Sequence, residues 1–172
     1  LVNWDPTLQT AISDLEVNQK EVNGSLWFLK YNIEGTNDFI EVATTRPETM
    51  FGDVAIAVHP KNKAQKSYIG KKAIIPFTKR YIHIIADEYA DPSKGSGAVK
   101  ITPAHDFNDF LVAKKHSLNC INIFDKQAKL NSSAPKKFVG MDRYDARKSI
   151  IKALKENGQL SKIVNNKMFV PI

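Results

Sequence analysis

The stretch Ala98-Val-Lys-Ile-Thr-Pro-Ala-His-Asp-Phe-Asn-Asp109 constrains this chain more than any other. It spells a short strand, a proline turn and the first turn of a helix. Strand side chains alternate, so Ala98, Lys100 and Thr102 share one face while Val99 and Ile101 share the other. Pro103 has no N–H to extend a ladder and stops the strand. Asp106 then falls where a helix N-cap belongs, with Asp109 three residues on. Two readings fit. In one, Asp106 caps the helix, Asp109 suits the helix dipole and Lys100 and Thr102 form the wet face of a half-buried strand. In the other, a cation, a hydroxyl and two carboxylates meet at one strand end to form a site.

A second stretch, Ala43-Thr-Thr-Arg-Pro-Glu-Thr-Met50, has the same double character. Residues 39–45 alternate as a strand, with Ile40, Val42 and Thr44 opposed to Phe39, Glu41, Ala43 and Thr45. Thr45-Arg-Pro-Glu48 matches a capping box, with Thr45 as N-cap, Pro47 in the first turn and Glu48 at N3. That is a well-made helix start. Free N–H groups and clustered hydroxyls at such a start also suit an anion or a ribose.

These two stretches, with Phe51-Gly-Asp-Val-Ala-Ile-Ala-Val-His-Pro60 and the preceding Gly95-Ser-Gly97, closely resemble the editing domain of valyl-tRNA synthetase, a class I aminoacyl-tRNA synthetase. Leu1-Val-Asn-Trp-Asp-Pro6 and Thr10-Ala-Ile-Ser-Asp-Leu-Glu-Val17 look like the approach to that domain, so the resemblance covers nearly the whole chain. The leucyl type usually lacks Lys-Ile-Thr before Pro-Ala-His-Asp. The isoleucyl type usually has Trp-Thr-Thr-Thr-Pro in place of Ala-Thr-Thr-Arg-Pro. One departure is Gly95-Ser-Gly97, where the family often has Gly-Thr-Gly; the hydroxyl is kept.

The resemblance implies one mainly β, β-barrel-like editing domain with peripheral α-helices over residues 1–172, excised from a longer synthetase. A start at Leu1, inside a motif, fits that expectation. The implied activity is hydrolysis of threonine mis-attached to the 3′ end of tRNA(Val), with threonyl-adenylate as a second substrate. The implied partners are tRNA(Val) and the rest of the parent synthetase, in the cytoplasm, with no membrane and no cofactor or metal. ATP binding and adenylate formation belong to the parent, and their signatures are absent from this stretch. Asp109 is expected to grip the substrate ammonium group and perform the chemistry with Lys100. Arg46, Thr49, Thr102 and Asp106 are expected to line the pocket, with Thr44, Thr45 and Glu48 close to the terminal adenosine. His105, beside Asp106, is either a structural neighbour of the turn or a pocket residue. The rivals are a tRNA-binding barrel without chemistry of its own and a leucyl- or isoleucyl-type editing domain.

Composition agrees with a soluble globular chain. A length of 172 residues fits one domain, and 42% hydrophobic with 25% charged residues is ordinary for a folded chain. No apolar run is long enough for a membrane span and no signal peptide is visible. The single cysteine, Cys120, excludes an internal disulfide and a thiolate zinc cluster. Residues 118–124 read as a buried strand, making Cys120 an inert core thiol. A net charge of +7 favours a polyanionic partner or else reflects solvated lysines. The basic clusters, such as Lys61, Lys63 and Lys66 or Lys136 and Lys137, are not interleaved with aromatics, which fits phosphate contact better than base stacking. His59, His83, His105 and His116 lack metal spacing, and no serine sits in a nucleophile elbow. An aminoacyl ester is already reactive, so positioning it and a water is enough chemistry for such a site.

The remaining elements follow in order. Strands are expected at residues 10–17 and 24–33, broken by an Asn23-Gly24 turn, with a further turn at residues 35–38. A strand at residues 54–58 precedes a basic helical stretch at 61–69. Strands at 72–77 and 80–86 lead through a polar loop, residues 87–94, to the central strand and a helix near 106–116. Residues 120–140 read as short strands and turns. Asp142 opens a helix with Ile150, Ile151 and Leu154 facing inward and Gly158 beyond its end, followed by a strand at 159–165.

Overall fold

The computed structural model describes residues 1–172 as nine strands, two α-helices and several 3-10 turns. A small hairpin, β1 (Asn3–Asp5) and β2 (Thr10–Ile12), comes first, and a 3-10 turn at Asp14–Glu16 replaces the rest of the expected first strand. Glu16 causes this change, because its carboxylate accepts the backbone N–H and hydroxyl of Ser13. β3 (Gln19–Asn32) then runs unbroken for 14 residues. The Asn23-Gly24 turn expected there does not form. Gly24 stays extended and faces Asn166, and a Cβ on it would stand 2.3 Å from the Met168 methyl carbon. The glycine serves close packing across the ladder.

β4 (Phe39–Thr44) follows the turn at residues 35–38, where Gly35 has φ +71°. β5 (Ala55–Val58) is buried at all four positions because both of its faces are covered. The basic stretch after it forms only a 3-10 turn, Lys66–Tyr68. β6 (Lys72–Ile74) ends before Pro76, and β7 (Tyr81–Ala86) leads to the polar loop. β8 (Ala98–Ile101) and α1 (Phe107–Lys115) realise the central strand and helix. Residues 118–124 are loop, and Cys120 is exposed, contrary to the expected core thiol. Ile123 is fully buried there, and Leu118, Ile121 and Phe124 pack partly buried against the two cores. α2 (Arg143–Glu156) begins at an Asp142 cap that accepts the Tyr144 N–H, and Gly158 follows its end at φ +71°. β9 (Leu160–Pro171) is longer than expected because β3 offers it a 14-residue edge.

Two sheets build the body. One has the order β4-β3-β9; the other has the order β6-β7-β5-β8, with β5 and β7 parallel and the remaining pairs antiparallel. They join where Ile33 bridges Ala73, and β4 lies beside β8 on the far side. No ladder links β4 to β8, so the sheets curve round one core without closing a barrel. That core includes Leu29, Tyr31, Val42, Phe51 and Ile56 from the sheets and their connections, capped by Ile150 and Leu154 of α2. Each such buried side chain contributes about 1.5–3 kcal/mol over its exposed state. A smaller cluster, with Ala55, Ala57 and Ile101 on the sheet and Val112 and Ala113 on α1, holds α1 on the outer face. The small alanines let the helix approach, which places its N-terminus beside the end of β8.

Candidate functional site

A cleft of about 220 Å³ opens where the ends of β4 and β8, the N-terminus of α1 and the loop carrying Tyr89 come together. Its floor comes from β8. Lys100 and Thr102 point the same way, as strand alternation requires, and both are buried. The Lys100 Nζ donates to Thr49 Oγ1 at 2.8 Å, to Asp53 Oδ1 at 2.9 Å and to Thr102 Oγ1. A lysine ammonium has three N–H donors, so all three are engaged within the protein. Lys100 is therefore not a free cation waiting for an oxyanion. Thr102 donates its hydroxyl proton to Asp53 Oδ1 at 2.6 Å, and Thr49 donates its own to the Arg46 carbonyl at 2.9 Å.

Asp53 lies beneath this floor, fully buried. Its second oxygen accepts the Tyr31 hydroxyl at 2.7 Å, and Arg80 holds its backbone carbonyl at 2.6 Å while also donating to the Phe51 carbonyl. Burial and the adjacent Asp53 carboxylate raise the Tyr31 phenol well above its usual range. Asp53 had no signal in the sequence beyond Gly52-Asp53 opening a strand. Its role depends on Lys100, 47 residues away in the chain.

Asp109 forms one wall. The helix start positions it, because Asp106 caps α1 by accepting the N–H groups of Asn108 and Asp109. The capping reading of Asp106 and the site reading of this stretch therefore hold together. Asp109 Oδ2 accepts the Thr102 N–H at 2.9 Å and Oδ1 accepts the Tyr89 hydroxyl at 3.1 Å. Burial pushes its carboxyl up, Asp106 adds to this, and the Thr102 N–H, Lys100 and Tyr89 pull it back, leaving it at about 6. Tyr89 sits in the polar loop, where no sequence pattern marked it.

The other wall begins at the end of β4. The Thr44 hydroxyl accepts the Arg46 N–H at 3.0 Å, and the Arg46 guanidinium donates to the His105 carbonyl at 2.6 Å. The expected capping box is absent. Arg46, not Thr45, takes the N-cap position of the 3-10 turn Pro47–Gly52, and no side chain caps it. The cause is Glu48, which turns inward, is fully buried and forms two 2.8 Å hydrogen bonds with the Arg147 guanidinium of α2. Glu48, expected close to the adenosine, therefore does not itself line the cleft. His105 reaches the rim. Its Nε2 accepts the Ile123 N–H at 3.1 Å, and its ring meets Phe124 edge-on at 5.0 Å. Burial, then Arg46 and Lys100, lower the imidazole to about 4, so it is neutral and anchored.

The fold thus brings Lys100, Asp109, Thr44, Thr45, Arg46, Thr49, Thr102, His105 and Asp106 into one cleft and withholds Glu48. Leu26, Ala43, Tyr89 and Val99 complete the lining. The Gly95 backbone, at φ +56°, packs on Ala43, where a Cβ would stand 2.8 Å from the alanine methyl. No three His, Cys, Asp or Glu side chains stand together as a metal site. The cleft directs its Thr102 and Tyr89 hydroxyl protons at the carboxylates of Asp53 and Asp109. It offers carboxylate and hydroxyl acceptors to a ligand rich in donors.

A family model described as "Leucyl-tRNA synthetase, editing domain" matches residues 61–155. The chain is 55% identical over 171 residues to a valine–tRNA ligase of Pelagibacter ubique, covering 99% of this chain and 20% of that protein. It is 52% identical over 171 residues to a valine–tRNA ligase of Legionella pneumophila, covering 99% of this chain and 19% of that protein. The chain therefore spans about a fifth of these relatives. Among solved structures, a ternary complex of an Agrobacterium radiobacter leucyl synthetase with tRNA and LeuAMS matches at TM-score 0.65 and 17% identity, over 89% of this chain and 20% of that one. The structure of GlLeuRS-CP1 matches at TM-score 0.60 and 13% identity, over 81% of this chain and 99% of that one. At such identities the structural matches speak to the fold alone.

Proposed function

We propose, from the premise that this chain belongs to the leucyl-tRNA synthetase editing-domain family, that its cleft hydrolyses threonine ester-linked to the 3′ end of tRNA(Val) within a valine–tRNA ligase. Relatives at about half identity carry that ligase's name, which favours the valyl type over leucyl and isoleucyl types. Threonine and valine are near-isosteres. For this known pair, an apolar synthetic pocket rejects the extra hydroxyl by only about 10², so a second, hydrolytic site is needed. A site that hydrogen-bonds the hydroxyl leaves buried polar groups unpaired when valine enters, and discrimination can be built there.

The observation that carries this reading is the pairing of Asp109 with Thr102. A buried carboxylate and an oriented hydroxyl face one small cleft, matched to an ammonium and a hydroxyl on a short side chain. Ionised Asp109 holds the ammonium, and the hydroxyls of Thr49 and Thr102 retain lone pairs for the substrate's donors. Arg46, the exposed cation of the lining, suits the phosphate of the terminal nucleotide, and Thr44 and Thr45 supply hydroxyls for its ribose. Water attacks the positioned ester, the acyl C–O bond to the ribose breaks, and threonine leaves. Rate comes from positioning rather than covalent catalysis.

The test is deacylation of threonyl- and valyl-tRNA(Val), side by side, by this chain and its Asp109→Ala variant. Release of threonine but not valine, lost in the variant, is the expected result. Tight tRNA binding without release would instead favour a binding module.

A further inference from the structure

We infer that Asp53 is a positioning residue that sets the charge of the cleft: it neutralises Lys100 from below, leaving Asp109 to select ligands that carry a protonated amine. The inference rests on the editing reading and goes beyond it, because Asp53 lies outside the lining of the cleft.

Lys100 is buried with its three donors fixed, and one carboxylate balances its charge. That carboxylate is Asp53, itself buried and held by Tyr31, Thr102 and Lys100. An ammonium so close beneath a cleft would repel an ammonium ligand, and in a low-dielectric site such repulsion is strong. Pairing removes it. Asp53 also accepts the Thr102 hydroxyl proton in a hydrogen bond, so Thr102 cannot donate it to a ligand and faces the cleft as an acceptor. The charge of the floor is then offset, and the charges that face a ligand are the carboxylates of Asp109 and Asp106 on one wall and the Arg46 guanidinium on the other. Without Asp53 the same floor would be cationic.

The test compares two probes on this chain, non-hydrolysable amide-linked threonyl-adenosine and its desamino counterpart, 3-hydroxybutyryl-adenosine, by titration calorimetry. The native chain is expected to prefer the amine-bearing probe. Asp53→Asn is expected to cut that preference by about tenfold or more, with the desamino probe little affected. Tyr31→Phe, which removes only the bond to the other Asp53 oxygen, is expected to keep the preference. If Asp53→Asn weakens both probes equally, Asp53 is merely structural and the inference fails while the editing reading stands. If the native chain shows no preference for the amine, the editing reading fails and takes the inference with it. Should Asp53→Asn not fold, neutron diffraction of the native chain decides. A deuteron between Thr102 Oγ1 and Asp53, with three deuterons on Lys100, supports the inference; a Thr102 deuteron aimed into the cleft overturns it.

Discussion

At the scale of single residues, the cleft gives up stability to hold an acid in place. Asp109 is raised from 3.8 to about 6 chiefly by burial. A carboxyl raised on folding contributes stability below its unfolded value and loses it as pH rises through the folded value. The shift corresponds to on the order of 3 kcal/mol. Asp109→Asn is therefore expected to gain stability relative to the native chain by about that amount between about pH 4 and pH 7. Urea melts at both pH values would show it; parallel curves would mean the carboxyl is not strained by burial. The same titration sets activity, with threonine release expected to rise through about pH 6 as Asp109 ionises and grips the ammonium. The two effects oppose each other, as expected where a binding group is held out of water.

At the scale of elements, the cleft depends on how its parts are tied together. The turn carrying Thr49 is fixed to α2 by the Glu48–Arg147 pair, with Glu48 wholly buried. Arg46 also stands 3.6 Å from Glu48, so loss of Arg147 removes two charge-assisted hydrogen bonds without stripping Glu48 of every cation. Arg147→Ala is thus expected to cost about 1.5–3 kcal/mol in urea unfolding. Glu48→Gln, which keeps one acceptor oxygen but sets an amide NH2 against an arginine donor, is expected to lose at least one of the two bonds and to destabilise the chain as well; unchanged stability would show that the pair does not hold the turn. α1 is fixed at both ends. Asp106 caps its start, while Asp87 near its end accepts Lys115 at 2.9 Å and His116 at 2.7 Å. Burial alone would raise Asp87, but the bonds from Lys115, the Tyr89 N–H and His116 outweigh it and bring the carboxyl to about 2. One acid thereby links the helix bearing Asp109 to the loop bearing Tyr89, the two groups that meet across the cleft.

At the scale of the molecule, charge and curvature matter together. The net charge is +7 and the basic clusters at Lys61, Lys63 and Lys66 and at Lys136 and Lys137 are exposed. Binding of tRNA to the chain is expected to weaken about tenfold or more between about 50 and 200 mM salt, measured by filter binding. Unchanged affinity would mean these patches are not the RNA surface. No helix is long and apolar enough to cross a membrane. Much of this was readable in the chain. The alternation at residues 98–102, the cap at Asp106 and the helix opened by Asp142 are set by neighbours a few residues apart, and local sterics suffice to specify them. The same holds for the shared face of Lys100 and Thr102. What the sequence could not settle depends on groups distant along the chain. Asn23-Gly24 reads as a turn until Met168 and the long edge of β9 hold it extended. Thr45 and Glu48 read as a capping box until Arg147, 99 residues on, draws Glu48 inward. Lys100 reads equally as a wet strand position until Asp53, buried beside it, pairs with it at 2.9 Å. In each case a local preference of about 1 kcal/mol yields to a tertiary partner, a paired strand edge for Gly24 and a buried ionic partner for Glu48 and Lys100. Such terms exist only once the sheets have curved round a common core.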